Sequence, residues 1–255
     1  MLESVEWLMS SIQVAPLTPV VKRLIVFTCV VWFFVQVVAE KIFKLNISSF
    51  LILHPDQVIE KFWAWQLVTY MFFHALSPFH IFFNLLMLWF FGSELEKNWG
   101  AKFFTIFYFT CGIGAAFIYC AGVAIYAAIT GVSTPLLIPV MGASGALFGL
   151  LVAYGIVFSE RVIYFMGLFP MKAKYFVMVA AALDFSSLMT TGFSGGEVAY
   201  LAHLGGALVG FLFLLARTRF KLLATQSKLK RKSGLRLVVD NEKLNKKENG
   251  PKYWN

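Results

Sequence analysis

Ser144, in Gly142-Ala143-Ser144-Gly145, and His203, in Ala202-His203-Leu204-Gly205-Gly206, each stand near the head of an apolar segment. A serine hydroxyl is a weak nucleophile until a neighbouring base takes its proton, and histidine is the side chain that titrates nearest neutrality. His80 and Asn84 lie four residues apart, so they share one helix face and add imidazole and amide donors. A nucleophile, a base and donors for a negative oxygen are the parts that acyl transfer needs. In that chemistry His203 accepts the Ser144 proton and Ser144 attacks an amide carbonyl. The Ser144 backbone N–H, Asn84 and His80 hold the oxyanion, helped by the positive end of the helix that starts at Ser144. His203 then protonates the leaving amine, and water hydrolyses the acyl-enzyme.

Each residue also has a plainer reading. Gly-Ala-Ser-Gly is the kind of stretch that tightly packed membrane helices use. Gly145-Ala146-Leu147-Phe148-Gly149 and Gly206-Ala207-Leu208-Val209-Gly210 are both GxxxG packing motifs. His203 alone could bond between helices, and His80 with Asn84 could be polar glue. The readings are compatible at the glycines, because a Ser–His hydrogen bond requires two helices to approach closely.

The elements that must position these groups are apolar. The chain has 255 residues, 59% hydrophobic and 14% charged, with mean hydropathy +0.75. A soluble domain carries about a quarter charged residues, so the composition argues for a bundle of membrane-spanning helices. Six apolar segments can be drawn, at 24–38, 79–91, 103–126, 144–158, 175–189 and 198–216. The expected fold is an all-α polytopic membrane protein with six transmembrane helices. The stretch between the first two is long and partly apolar, with room for short interfacial helices and with Trp63 and Trp65 at headgroup level. Cys29, Cys111 and Cys120 all lie in apolar runs and give neither a disulfide framework nor a metal spacing. The first 20 residues carry Glu3 and Glu6 and lack the basic start of a cleavable signal.

Charge sets the orientation. With a cytoplasmic N-terminus, 19 Lys/Arg face the cytoplasm and only Lys41, Lys44 and Lys61 face outward, which the positive-inside rule favours. Both termini are then cytoplasmic. Residues 217–255 hold 12 Lys/Arg and 3 Asp/Glu and account for the whole net charge of +9. Charge alone would also suit nucleic acid, but a basic segment directly after a spanning helix reads as a contact for anionic lipid. The expected division is a cytoplasmic or interfacial segment at 1–20, a membrane domain at 21–216 and a basic, partly disordered cytoplasmic tail at 217–255.

This topology brings four distant residues to one depth. Helices two, four and six enter from the outer side, with His80 and Asn84, Ser144, and His203 near their starts. The fourth segment has 15 residues, roughly 22 Å of helix against a hydrocarbon core of about 30 Å. With its cytoplasmic end anchored by Ser159-Glu160-Arg161, Ser144 sits roughly 8 Å below the outer boundary. The loop before it must dip into the membrane, which is tolerated where protein covers it or water fills a cavity.

At this point the residues resemble a family. His80-Ile81-Phe82-Phe83-Asn84, Phe91-Gly92-Ser93-Glu94-Leu95-Glu96, Gly142-Ala143-Ser144-Gly145-Ala146-Leu147-Phe148-Gly149 and Ala202-His203-Leu204-Gly205-Gly206 occur in the order seen in rhomboid intramembrane serine proteases, and the resemblance covers about 65–216. The resemblance implies a Ser144–His203 dyad with His80, Asn84 and the Ser144 amide as oxyanion hole. Gly142, Gly145, Phe148 and Gly206 would support it, with Phe148 stacking on His203. It implies no metal and no cofactor. Substrates would be transmembrane proteins, cut in or beside their spanning helices near small or helix-weakening residues, entering past helix five and the loop at 190–197. Trp65-Gln66 stands where many rhomboids carry Trp-Arg, so the anchoring of the first outer loop must differ.

Other polar residues are given structural roles. His74 belongs to the outer loop, Glu94 and Glu96 cap or pair at the cytoplasmic end of helix two, and Asp184, which could orient His203, is assigned to packing or gating because the resemblance implies a dyad. Two competing functions are a catalytically inactive rhomboid-like binder of membrane proteins and a small transporter lined by His80, Asn84, Asp184 and His203. Inactive relatives lose the serine or the histidine, which this chain keeps; a transporter should show internal repeats, and none is evident. The expected setting is the bacterial inner membrane, with the active site toward the non-cytoplasmic side.

Overall fold

Prolines open the first two spans, where the missing N–H costs nothing and the fixed φ suits a first helical turn. The structure, a computed structural model, describes residues 16–165, 169–191 and 199–232. Helix α1 (Pro19–Val30) continues as a π-helix over Val31–Ile42, making one 24-residue span. The second span, Pro78–Trp99, consists of α5 (Pro78–Met87), a π-helical turn at Leu88–Gly92 and α6 (Ser93–Trp99). Between these spans lie the short helices α2 (Ser48–Leu51), α3 (Pro55–Glu60) and α4 (Gln66–Thr69). Gly100, at φ +81°, lets the chain turn directly into α7 (Ala101–Thr130).

Helix α8 (Ser144–Val157) has 14 residues and is the short apolar helix that the residue pattern requires. It is followed by α9 (Ala173–Thr191) and α10 (Ala199–Lys232). Among the described residues, five helices are long and apolar enough to cross a membrane, and α8 is a shorter apolar helix. The chain is therefore a multi-pass integral membrane protein. Its surface agrees: Phe34, Phe79, Phe82, Phe83, Phe117 and Phe211 are exposed, as befits side chains that face lipid instead of water.

Two units are compact, Met1–Leu214 and Leu215–Asn255. In the first, α7 forms the core, burying Phe104, Phe107, Tyr108, Cys111, Ala115, Tyr119 and Val123. Helix α8 packs on it through Gly145 and Gly149, where an added Cβ would strike Ala115 Cβ and the Cys111 thiol. In the second unit, the residues described are those of α10 up to Lys232. The helix runs 16 residues past the boundary at 216 read from hydropathy. Lys, Arg, Leu and Ala are strong helix formers, and the first Gly beyond is Gly234. Residues 217–232 are thus helical, while the remainder of the expected tail lies outside the described residues.

An all-α reading also missed a small antiparallel hairpin, β1 (Val162–Phe165) with β2 (Phe169–Lys172), in the connection between α8 and α9. Val162-Ile163-Tyr164 is β-branched and aromatic, the composition that strands favour. Lys172 and Lys174 both reach Glu160, at 2.6 and 2.5 Å. These two hydrogen bonds hold the Glu160 carboxyl down to about 2. Arg161 pairs with Glu94, which also accepts the Tyr154 hydroxyl proton at 3.0 Å.

Glu96 ties the first two spans together. Its buried carboxylate accepts the Val20 and Val21 N–H groups at 3.0 Å and the Thr18 hydroxyl proton. The opening N–H groups of any helix lack intrahelical partners, and here a side chain 75 residues away supplies one.

The loop between the first two spans is anchored by an amide in place of an ion pair. Gln66 is fully buried. Its Oε1 accepts the His54 N–H at 3.0 Å, and its Nε2 donates to Gln57 Oε1 at 2.8 Å. Trp65 Nε1 donates to the Phe50 carbonyl at 2.8 Å. Leu53 and Val140 form a two-way backbone bridge, so this segment covers the loop that leads to Ser144.

Candidate active site

Ser144 is the first residue of α8, and Gly142 before it is held by a hydrogen bond from its N–H to the Tyr70 carbonyl at 3.0 Å. Gly142 has φ +121°, a conformation closed to residues with a side chain. A Cβ there would stand 3.3 Å from the His80 ring and 3.8 Å from Ser144 Oγ. Its absence keeps the gap between these groups open. The opening N–H groups of α8, Ser144's among them, have no intrahelical acceptor.

His203 lies in the second turn of α10. Its Nε2 is 2.7 Å from Ser144 Oγ. Phe148, one turn after the serine, stacks on the imidazole with centroids 4.5 Å apart and an interplanar angle of 8°. The approach is set by glycine: a Cβ on Gly206 would overlap the Gly145 carbonyl, and one on Gly210 would stand 2.9 Å from Gly149 Cα.

His80 and Asn84 complete a cavity of about 200 Å³ with Ser144 and His203, closed by Phe83, Met87, Leu147 and Phe148. His80 Nδ1 accepts the Ala75 N–H at 3.2 Å. The neutral ring therefore carries its proton on Nε2, the nitrogen nearer to Gly142. Asn84 Nδ2 donates one hydrogen to the His80 carbonyl at 2.8 Å and has a second to offer. The buried Asn84 Oδ1 has no hydrogen-bond partner among the described residues. The four polar residues, from three helices, thus share one concavity with a wall that is otherwise apolar.

His74, read as structural, is fully buried behind this site. Gln36 holds its backbone from both sides, donating to its carbonyl at 2.7 Å and accepting its N–H at 2.9 Å. His74 Nε2 faces the Ala143 N–H at 3.5 Å, and its ring lies 5.4 Å from that of His80. Burial first, and then the neighbouring His80, pull its pKa down to about 4.

Asp184, assigned to packing or gating, lies beside the base. Its Oδ2 lies 2.7 Å from His203 Nδ1, on the side of the ring opposite the serine. The sequence offered it as a carboxylate inside an apolar helix that could orient His203. The substrate-entry loop at 190–197 lies outside the described residues from 192 onward. Among the described residues, no three His, Cys, Asp or Glu side chains gather as a group able to hold a metal ion.

Residues 61–220 match the family model of the Rhomboid domain. Rhomboid protein 1, mitochondrial, of Saccharomyces cerevisiae is 29% identical over 169 residues, 66% of this chain and 45% of that protein. RHOMBOID-like protein 1 of Arabidopsis thaliana is 30% identical over 64% of this chain and 38% of its own length. Rhomboid-like protein 19 of Arabidopsis thaliana is 30% identical over 65% and 52%. The matches span about half or less of these relatives. With a family match over well more than half of its length, joined to a membrane bundle of the expected kind, this chain belongs to the rhomboid family.

Proposed function

We propose that this protein is an intramembrane serine endopeptidase that cleaves transmembrane proteins in or near their spanning segments through Ser144 and His203. The observation that carries the reading is the 2.7 Å contact between Ser144 Oγ and His203 Nε2 inside a mostly apolar cavity. As Ser144 Oγ bonds to the carbonyl carbon, its proton passes to His203 Nε2. The oxyanion is held by the Ser144 N–H, His80 Nε2–H and the free Asn84 amide hydrogen. The C–N bond then breaks, and His203 returns the proton to the leaving amine. Water, with His203 again as base, hydrolyses the acyl-enzyme. Gly142 keeps the oxyanion space clear, and Gly145 and Gly206 bring the two helices together. No cofactor enters this scheme.

The Lys/Arg distribution supports an active site that opens toward the non-cytoplasmic face, and the setting we propose is a bacterial inner membrane. Substrate would enter from the lipid past α9, and the basic residues from Arg217 onward would contact anionic headgroups. The test is cleavage of single-span substrates in liposomes by wild type, Ser144→Ala and His203→Ala. Cleavage by wild type alone is expected. Cleavage that survives Ser144→Ala would remove the serine mechanism; no cleavage of several substrates by wild type would favour an inactive binder or a transporter.

A further inference from the structure

The imidazole of His203 has polar neighbours on both nitrogens, and the dyad uses only one. Nε2 meets Ser144 at 2.7 Å; Nδ1 meets Asp184 Oδ2 at the same distance. The side chains of His203 and Asp184 are 16% and 14% exposed, so solvent competes little for this contact. Phe148 stacks on one ring face and Tyr200 meets the ring edge-on at 6.3 Å. Among the described residues, no Lys or Arg forms an ion pair with Asp184. Among the described residues, its hydrogen-bonding side-chain partner is the base itself.

We propose that Asp184 is a positioning residue that completes a Ser144–His203–Asp184 triad. This deepens the protease reading and rests on it. A neutral imidazole carries one proton, and which nitrogen holds it decides whether the ring can act as a base toward the serine. An ionised carboxylate only accepts, so Asp184 requires the proton on Nδ1. Nε2 is then bare, and the Ser144 hydroxyl must donate to it. With the opposite tautomer, Nε2–H would point at Ser144 Oγ and no base would face the nucleophile. When Ser144 attacks, its proton moves to Nε2, Nδ1–H stays in place, and the imidazolium is balanced by the Asp184 charge. The carboxylate stays ionised throughout, and no proton passes to it. Asp184 on α9 thereby ties the base on α10 to the helix on the proposed entry side.

Two measurements on the full chain test this. The first is NMR of the ¹⁵N-histidine-labelled protein in detergent, with His203 assigned by comparison with His203→Ala. Expected is Nδ1 protonated and Nε2 bare in wild type, with Asp184→Ala losing that preference. A wild-type ring protonated on Nε2 alone would overturn the proposal, and this readout needs no turnover. The second is cleavage kinetics. In soluble Ser-His-Asp proteases, replacing the acid by its amide lowers kcat about 10⁴-fold. Asp184→Asn should lower kcat at least about 100-fold on the same ground, with KM within about threefold and the melting temperature unchanged. Asp184→Glu, which restores the charge, should recover part of kcat. Wild-type kcat in Asp184→Asn would sink the triad and leave the dyad standing. Failure of wild type to cleave would instead sink the protease reading, and the tautomer measurement would still decide what Asp184 does.

Discussion

Gly206 meets Gly145 backbone to backbone, so closely that a Cβ on Gly206 would overlap the Gly145 carbonyl. Ser144 is the neighbour of one glycine and His203 stands three residues before the other. The separation of hydroxyl and imidazole is therefore set by how near two main chains can come. Gly206→Val must push the helices apart. Overpacking of this kind costs about 1–3 kcal/mol. A lowered melting temperature in detergent is expected together with loss of substrate cleavage. Full activity in a folded Gly206→Val protein would show that the site tolerates a wider helix gap.

Phe148 covers one face of the His203 ring at 4.5 Å, nearly parallel. An aromatic pair of this kind contributes about 0.5–1.5 kcal/mol beyond area burial. Phe148→Ala should lower kcat/KM about tenfold through a less well-held base. Phe148→Tyr, which keeps the ring, should retain most of it. Equal losses in both variants would point to a steric role in the cavity wall instead.

His74 predicts an acid sensitivity. Burial and the neighbouring His80 lower its pKa from 6.5 to about 4. Between these values the unfolded chain binds a proton that the folded one refuses. Stability is therefore full above about pH 6.5 and falls as pH drops toward 4, by a total of order 3 kcal/mol. Melting temperatures of wild type and His74→Gln between pH 7 and 4 test this. The variant should show a flatter decline, and parallel curves would assign the acid sensitivity to other groups.

Glu96 caps the opening turn of α1 from the far end of the second span. Glu96→Ala leaves two N–H groups and the Thr18 hydroxyl without this acceptor. Loss of a cap and of a charge-assisted bond costs about 2 kcal/mol. The melting temperature should fall, while the rate at which a fluorophosphonate labels Ser144 well below that temperature should stay near wild type. A fall in labelling without a fall in stability would link this end of the bundle to the active site.

Much of the architecture was legible because its signals are local. A run of apolar residues reads as a helix wherever it packs, so each segment drawn has its helix within a few residues at most ends, five of them long enough to span a membrane among the described residues. The exceptions have physical causes. Helix α10 continues to Lys232 because hydropathy ends before helix propensity does. The β1–β2 hairpin was missed because eight strand residues in a connection carry little weight beside long apolar runs. Gln66 looked like the loss of an anchor, yet its amide has both a donor and an acceptor and finds Gln57 and His54.

By itself, the residue order determined a membrane bundle with a short fourth helix and the identity of the residues that could do chemistry in it. Hydropathy and small-residue motifs are sums over neighbours along the chain, and no folding is needed to read them. Tertiary structure alone decided which nitrogen of His203 meets Ser144 and which meets Asp184, and that the Ala75 N–H occupies His80 Nδ1. A hydrogen bond depends on tenths of an ångström and on direction, and those come from glycine contacts between helices and from backbone groups far away in sequence.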